Sequence, residues 1–484
     1  MDNLWGQFMK QWKLRITVFC AGAALMIVEL VGSRLVAPFL GSSLIVWTTL
    51  IGVILAALSF GYWLGGRMAD RNPTHQRFGA ILLASAVTVA GILGLTLYLG
   101  PVSRFGINLF GVAGSTVVCA LYLFALPSII IGMISPYALK LSLVSTDQTG
   151  RTAGSLYALS TVGSIVGTFA AGFWLIPALG SFKTLAAVSC ILAIAGLLYI
   201  RRSWGIVSLA LCVYALALSI FSPSLFFPYQ SVQAEWESGY NRLFLVSGID
   251  KETKRPIISL MSGPRVAQSA RFSDEDNDLV FEYTKFFRRV DEFNPVVNKA
   301  LMIGGGAYSV PLDFLKNHST AKIDVVEIDQ LYTDIAHKYF NLADSDRMNI
   351  FHEDGRTFLE SHFAYDAIFV DAFNNSGSVP FHLATEEAIN QLYESLTEDG
   401  VVIVNMIGST EGPGKRFIES ELATYQSVFP FVAIYPLGNN PNDLQNIILV
   451  ATKQNVLPAV APASPARILT DDWAPVDYFL SGIL

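Results

Sequence analysis

Two rhythms of apolar and polar residues divide this chain. Up to residue 222 the apolar positions come in long runs, near 15–37, 44–66, 78–100, 116–138, 153–176, 182–200 and 204–222. Each is close to the roughly 20 helical residues that cross a bilayer. Short breaks rich in glycine and proline separate them, among them Pro38-Phe-Leu-Gly41, Arg71-Asn-Pro73 and Ile176-Pro-Ala-Leu-Gly180. After Pro223 and Pro228 the pattern changes. Residues 229–270 alternate at period two around Ser238-Gly-Tyr-Asn241 and Ser262-Gly-Pro264, which predicts a small antiparallel β unit. A helix is predicted over 274–290, with Ser273 as its N-cap and acids in its first turn. From 299 short strands (299–303, 322–328, 348–352, 366–371, 400–405, 431–435, 445–451) alternate with helices (308–317, 330–340, 355–361, 384–395, 414–427). That order predicts a mostly parallel, doubly wound sheet, with ligands at the carboxyl ends of its strands.

Composition supports the division. Hydrophobic residues make up 52% of the 484, and mean hydropathy is +0.47, too apolar for an ordinary soluble protein. Residues 1–222 hold thirteen Lys/Arg against four Asp/Glu, and the remainder holds nineteen against thirty-five. The acidic half repels nucleic acid and favours small cations by long-range steering. All four cysteines (Cys20, Cys119, Cys190, Cys212) lie in apolar runs, which argues against disulfides and thiolate metal sites. The expected domains are an integral membrane bundle of about seven helices (1–225) and a second domain (226–484). The latter divides into a β-hairpin unit (226–272), a doubly wound core (273–455) and a C-terminal tail (456–484).

Basic residues cluster on alternate sides of the runs, and the positive-inside bias assigns them to the cytoplasm. Seven spans starting inside leave the second half outside, whereas a domain using a cytosolic nucleoside belongs in the cytoplasm. A miscount within 101–141 is the expected resolution, giving a multi-pass inner-membrane protein with a cytoplasmic catalytic domain. Glu29 and Arg34 are ionisable groups at hydrocarbon depth. They lie about 140° apart around a helix, so both are expected to find partners on other helices or to line a substrate path. Gly150, Gly154, Gly163, Gly167 and Gly172 suit close helix packing.

Candidate chemistry gathers at four strand ends. Ala300-Leu-Met-Ile-Gly304-Gly305-Gly306 is a strand breaking into a glycine turn, where backbone N–H groups can approach a nucleoside closely. Glu327, closing Val325-Val-Glu-Ile-Asp329 about twenty residues on, is the candidate for ribose hydroxyls. Asp354, in Glu353-Asp-Gly355, can accept from an adenine amino group. Asp371 closes Tyr365-Asp-Ala-Ile-Phe-Val-Asp371 ahead of a loop, where a catalytic carboxylate would meet the reacting end of the ligand.

These residues resemble those of the spermidine synthases, the polyamine aminopropyltransferases. The matching pieces are Pro228-Tyr-Gln230, Gly263-Pro-Arg-Val-Ala-Gln268-Ser269, Tyr283, the three glycines, Val326-Glu-Ile-Asp329, Glu353-Asp-Gly355, Asp371-Ala-Phe373 and His382-Leu-Ala-Thr385. They cover roughly 225–455. The whole chain resembles the membrane-fused members of that superfamily, through Ala24-Leu-Met-Ile-Val-Glu29-Leu-Val-Gly-Ser-Arg34 and Gly61-Tyr-Trp-Leu-Gly-Gly-Arg67. The resemblance implies a transmembrane bundle followed by a Rossmann-like α/β domain of spermidine synthase type with a small N-terminal β unit.

It further implies that Gln230 and Glu327 hold the ribose of S-adenosylmethionine, decarboxylated or intact, with Gly304, Gly305, Gly306, Asp354 and Gly355 completing the nucleoside site. Asp371 would orient and deprotonate the attacking amine. Gln268, Tyr283 and Asn374 would line the aminopropyl and amine region, with His382 as a replacement base. No metal is called for, and the expected partners are a nucleoside sulfonium, a polyamine, the lipid bilayer and a second copy of the chain. Two departures bear on the amine. Ala307 and Asn374 stand where soluble members carry acids, which leaves open a lyase acting on intact S-adenosylmethionine. A polyamine or nucleoside transporter with a ligand-sensing domain is the alternative from another class. A methyltransferase has no role for Gln230, the β unit or the Gln268 segment.

Overall fold

The computed structural model describes residues 2–41, 43–143, 149–200, 210, 213–215, 217, 231–263, 267–274, 278–373, 379–458 and 466–480. The chain forms two compact units, one of residues 1–228 with 236–239, the other of 229–235 with 240–484.

In the first unit, five helical runs among the described residues are long and apolar enough to cross a membrane: Gln11–Leu40, Leu44–Arg71, His75–Gly111, Ala113–Ser142 and Thr149–Leu197. The fifth joins two of the expected spans. It holds 49 residues and turns at Gly180, whose φ of +77° is open to glycine but strained for other residues. The third also outruns its expected end, because the short 3-10 turn at Thr96–Tyr98 carries the helical run on to a kink at Gly111, φ +68°. The expected run 204–222 lies almost wholly outside the described residues. Trp63, Phe169, Phe173 and Trp174 are 55, 54, 67 and 66% exposed. A helical surface of large apolar side chains suits lipid rather than water.

Two of the five predicted packing glycines are packed as expected. A Cβ on Gly163 would sit 2.1 Å from the Phe19 carbonyl oxygen and one on Gly167 2.5 Å from that of Ala23, so the helices Asp2–Leu40 and Thr149–Ala170 cross backbone to backbone. Gly150, Gly154 and Gly172 face open space. Glu29 is half-buried. Arg34 is held by the carbonyls of Ser238 (3.3 Å) and Gly239, in the short segment that packs with this unit. Two of the partners of Arg34 are therefore backbone oxygens of this segment. A guanidinium has five N–H donors, and backbone carbonyls can accept from them.

The second unit opens on a four-stranded antiparallel sheet of β1 (Ser231–Glu237, its last two residues counted with the first unit), β2 (Arg242–Ile249), β3 (Pro256–Met261) and β4 (Ala267–Phe272). The predicted helix from 274 begins eight residues later, at Glu282. Asp274 is taken by a two-pronged bond from Arg255, and Leu279 forms an antiparallel bridge with Arg271. The main sheet has seven strands: β5 (Lys299–Ile303), β6 (Lys322–Val326), β7 (Met348–Phe351), β8 (Tyr365–Val370), β9 (Leu396–Gly408), β10 (Phe431–Pro436) and β11 (Gln445–Thr452). Their order is β10-β11-β9-β8-β5-β6-β7, parallel from β7 to β9 and closed by antiparallel β11 and β10. The chain runs outward from β5 through β6 to β7 and returns as β8 on the other side of β5, so the strand order reverses between β5 and β8. A crevice opens at such a switch point.

The described part of the C-terminal segment packs onto the core of this unit. Leu469 and Val476 are fully buried in the core of this unit. Glu386 N–H donates to the Leu469 carbonyl at 2.8 Å, and Asp471 accepts two bonds of 2.6 Å from Arg356 and one of 2.8 Å from Thr385.

Candidate active site

The parallel ladder brings the predicted strand ends side by side. Glu327 N–H donates to the Phe351 carbonyl (3.0 Å), Gly304 N–H to that of Val326 (2.9 Å) and Asp371 N–H to that of Ile303 (2.9 Å). Strands β7, β6, β5 and β8 are thus stitched through their last residues, and the side chains beyond them share one mouth. A cavity of about 600 Å³ opens there, lined by Gln268, Tyr283, Gly304, Gly305, Gly306, Glu327, Asp354, Gly355, Asp371 and His382 among others. Its size suits a nucleoside with a short chain attached. Gln230 and Asn374 lie outside the described residues.

The glycine turn works differently from its sequence reading. The Gly305 and Gly306 N–H groups do not await a ligand; both donate to Glu327 Oε2 at 3.0 Å, while Asp329 N–H donates to Oε1 at 3.1 Å. The turn therefore holds the acid. Glycine is needed for close approach: a Cβ on Gly304, where φ is +91°, would stand 2.4 Å from the Asp371 carbonyl oxygen. Burial raises the Glu327 carboxyl to about 7, the three N–H donors opposing the shift. Desolvation wins because the side chain is 7% exposed.

Asp354 caps the helix Gly355–Leu359, with Oδ1 accepting from Arg356 N–H at 2.9 Å and Thr357 N–H at 3.2 Å. Its Oδ2 lies 3.0 Å from His382 Nε2. His382 is thus placed against the acid expected to read adenine; no contact with Asp371 supports it as a substitute base. Gln268 Nε2 donates to Ser262 Oγ at 2.9 Å, which turns its side chain within the cavity wall.

Asp371 has two neutral partners. Asn405 Nδ2 donates to Oδ1 at 2.8 Å, and the Tyr283 hydroxyl hydrogen-bonds to the carboxylate. Burial pushes the Asp371 carboxyl up to about 6, with both hydrogen bonds opposing. The same contact keeps Tyr283 protonated, since its phenol is pushed far above its usual range by burial and by the carboxylate beside it. Ala307 is fully buried, its N–H donating to Ser269 Oγ at 2.9 Å. A carboxylate added at this position by Ala307→Asp would begin in closed space.

Asn405 and its neighbour Asn446 were missed by the sequence reading. The signal was an amide inside Val401-Val-Ile-Val-Asn405-Met-Ile407, a lone polar side chain in a strand otherwise built for the core. Asp471 and Arg356 were missed for another reason: 115 residues separate them, and no local pattern links them.

Residues 289–457 match the family model of the spermine/spermidine synthase domain. The second unit carries a spermidine synthase-like domain. Among curated proteins, the chain is 31% identical over 172 residues to the polyamine aminopropyltransferase of Vibrio vulnificus, covering 34% of this chain and 55% of that one. It is 35% identical over 163 residues to that of Streptococcus uberis, covering 32% and 53%. It thus spans about half the length of these relatives. Among solved structures, a probable spermidine synthase from Corynebacterium glutamicum aligns at 21% identity with a TM-score of 0.40, covering 52% of this chain and 95% of that one.

Proposed function

We propose that this chain is a membrane-bound enzyme of aminopropyltransferase type, acting on S-adenosylmethionine, intact or decarboxylated, and releasing methylthioadenosine. One observation carries the reading: Glu327, Asp354 and Asp371, ordered by three strand ends, line one cavity with the Tyr283–Asp371 pair in it. Glu327 would accept from the ribose hydroxyls and Asp354 from the adenine amino group. At the far end an amine attacks the methylene carbon next to the sulfonium. The new C–N bond forms as the C–S bond breaks, sulfur keeps the electron pair as a neutral thioether, and the amine's proton passes to Asp371. Alignment of the two reactants and a nearby base supply the rate. A carboxyl near 6 is ionised at neutral pH yet basic enough to take that proton.

The experiment incubates the purified full chain in detergent with intact or decarboxylated S-adenosylmethionine, each with and without putrescine, and follows methylthioadenosine by chromatography. Release that requires the amine is the expected outcome. Release without amine would replace the transferase with a lyase, and no release under any condition would refute the enzyme.

A further inference from the structure

We propose that Asn405 is a positioning residue for Asp371, itself held in one orientation by Asn446, so that a relay of two amides sets the geometry and ionisation of the reacting carboxylate. This rests on the proposed role of Asp371. Register explains how the three side chains meet. Val370 of β8 lies opposite Val404 of β9, which brings Asn405 alongside Asp371. Across the antiparallel pair, Asn405 faces Ile448 of β11, so Asn446, two residues away, projects from the same face.

The bonds run in one direction. Asn446 Nδ2 donates to Asn405 Oδ1 at 2.9 Å, and Asn405 Nδ2 donates to Asp371 Oδ1 at 2.8 Å. An amide has two ends of similar shape, and a buried one can turn over. With its oxygen engaged by Asn446, Asn405 must present N–H to Asp371; turned over, it would set oxygen against oxygen. Asn405 is 1% exposed, so water cannot easily take the place of either bond. The relay is neutral, so it steadies the carboxylate without a charge that would suppress its basicity. The other titratable groups lining the cavity are Glu282, Glu327, Glu353, Asp354, His382, Tyr283 and Tyr332; of these, Tyr283 bonds Asp371 directly.

The test uses the full chain in detergent carrying Asn405→Leu, Asn405→Asp or Asn446→Ala, with two readouts. In the first, methylthioadenosine release is followed from pH 5 to 9. The acid limb is expected to rise by about one pH unit in Asn405→Leu and further in Asn405→Asp, where two carboxylates would share a proton. Asn446→Ala should shift it the same way but less, with kcat lowered and KM for the sulfonium nearly unchanged.

The second readout needs no turnover. Asp371→Asn is added to each background and the melting temperature followed across the same pH range. An acid raised on folding loses stability as pH climbs from its unfolded to its folded value. The native chain should therefore fall relative to Asp371→Asn up to about pH 6 and then level off, whereas in the Asn405 variants the fall should continue to higher pH. Limbs and stability curves that stay in place overturn the positioning role, and if both Asn405 variants fail to fold, Asn446→Ala decides by the same criteria. A displaced stability curve with no turnover in the native chain would support the relay and sink the enzymatic reading instead.

Discussion

At the scale of single residues, ionisation decides most. Burial pushes the Glu327 carboxyl up to about 7, and only its ionised form would accept fully from a ribose diol. Affinity for methylthioadenosine, measured calorimetrically, is therefore expected to fall as pH drops below about 7, approaching tenfold per unit. Glu327→Gln should weaken binding at least about tenfold and remove that pH dependence. Unchanged affinity in this variant would mean the ribose is held elsewhere. Asp371→Asn should cost about two to four orders of magnitude in turnover while leaving thioether affinity within a few-fold. In the native chain, activity should fall as pH drops through about 6, where the carboxylate becomes protonated.

At the scale of elements, the β5 turn and the C-terminal segment are the places to probe. Gly304 lets β5 turn against the end of β8. Gly304→Ala meets both the Asp371 carbonyl at 2.4 Å and a strained φ of +91°, and should cost roughly 1–3 kcal/mol or more in thermal unfolding. A melting temperature equal to the native one would show that the turn relaxes freely. The segment around 469–476 is held by two kinds of contact that can be ranked. The Arg356–Asp471 pair is 22 and 43% exposed, which limits it to about 1 kcal/mol. Leu469 is fully buried, and its truncation to alanine should cost about 2–5 kcal/mol. The larger loss is expected for Leu469→Ala and the smaller for Asp471→Ala; the reverse order would make this segment a charge-held strap rather than part of the core.

For the whole molecule, the five apolar helical runs among the described residues and their exposed aromatic side chains lead to one expectation. The chain should stay with membranes through a high-salt and alkaline carbonate wash and leave them only in detergent, as read by fractionation. Release by carbonate alone would count against spanning helices. That the chain has two parts was legible because each has its own period, long apolar runs in one and short strands alternating with helices in the other. The acids at the strand ends were legible because a parallel sheet presents its carboxyl ends at one edge. Asn405, Asn446 and the Arg356–Asp471 pair were not, since each meets its partner across strands or loops far apart in sequence.

Local chemistry by itself determined the two-part organisation, the alternating strands and helices, and the choice of Glu327, Asp354 and Asp371 as candidates, because hydrophobic period and glycine turns are properties of neighbouring residues. Only the tertiary structure decided that the glycine N–H groups hold Glu327, that His382 pairs with Asp354, that Ala307 is enclosed, and that two amides stand behind Asp371. Those outcomes depend on strand order and register, which bring together side chains that no local pattern connects.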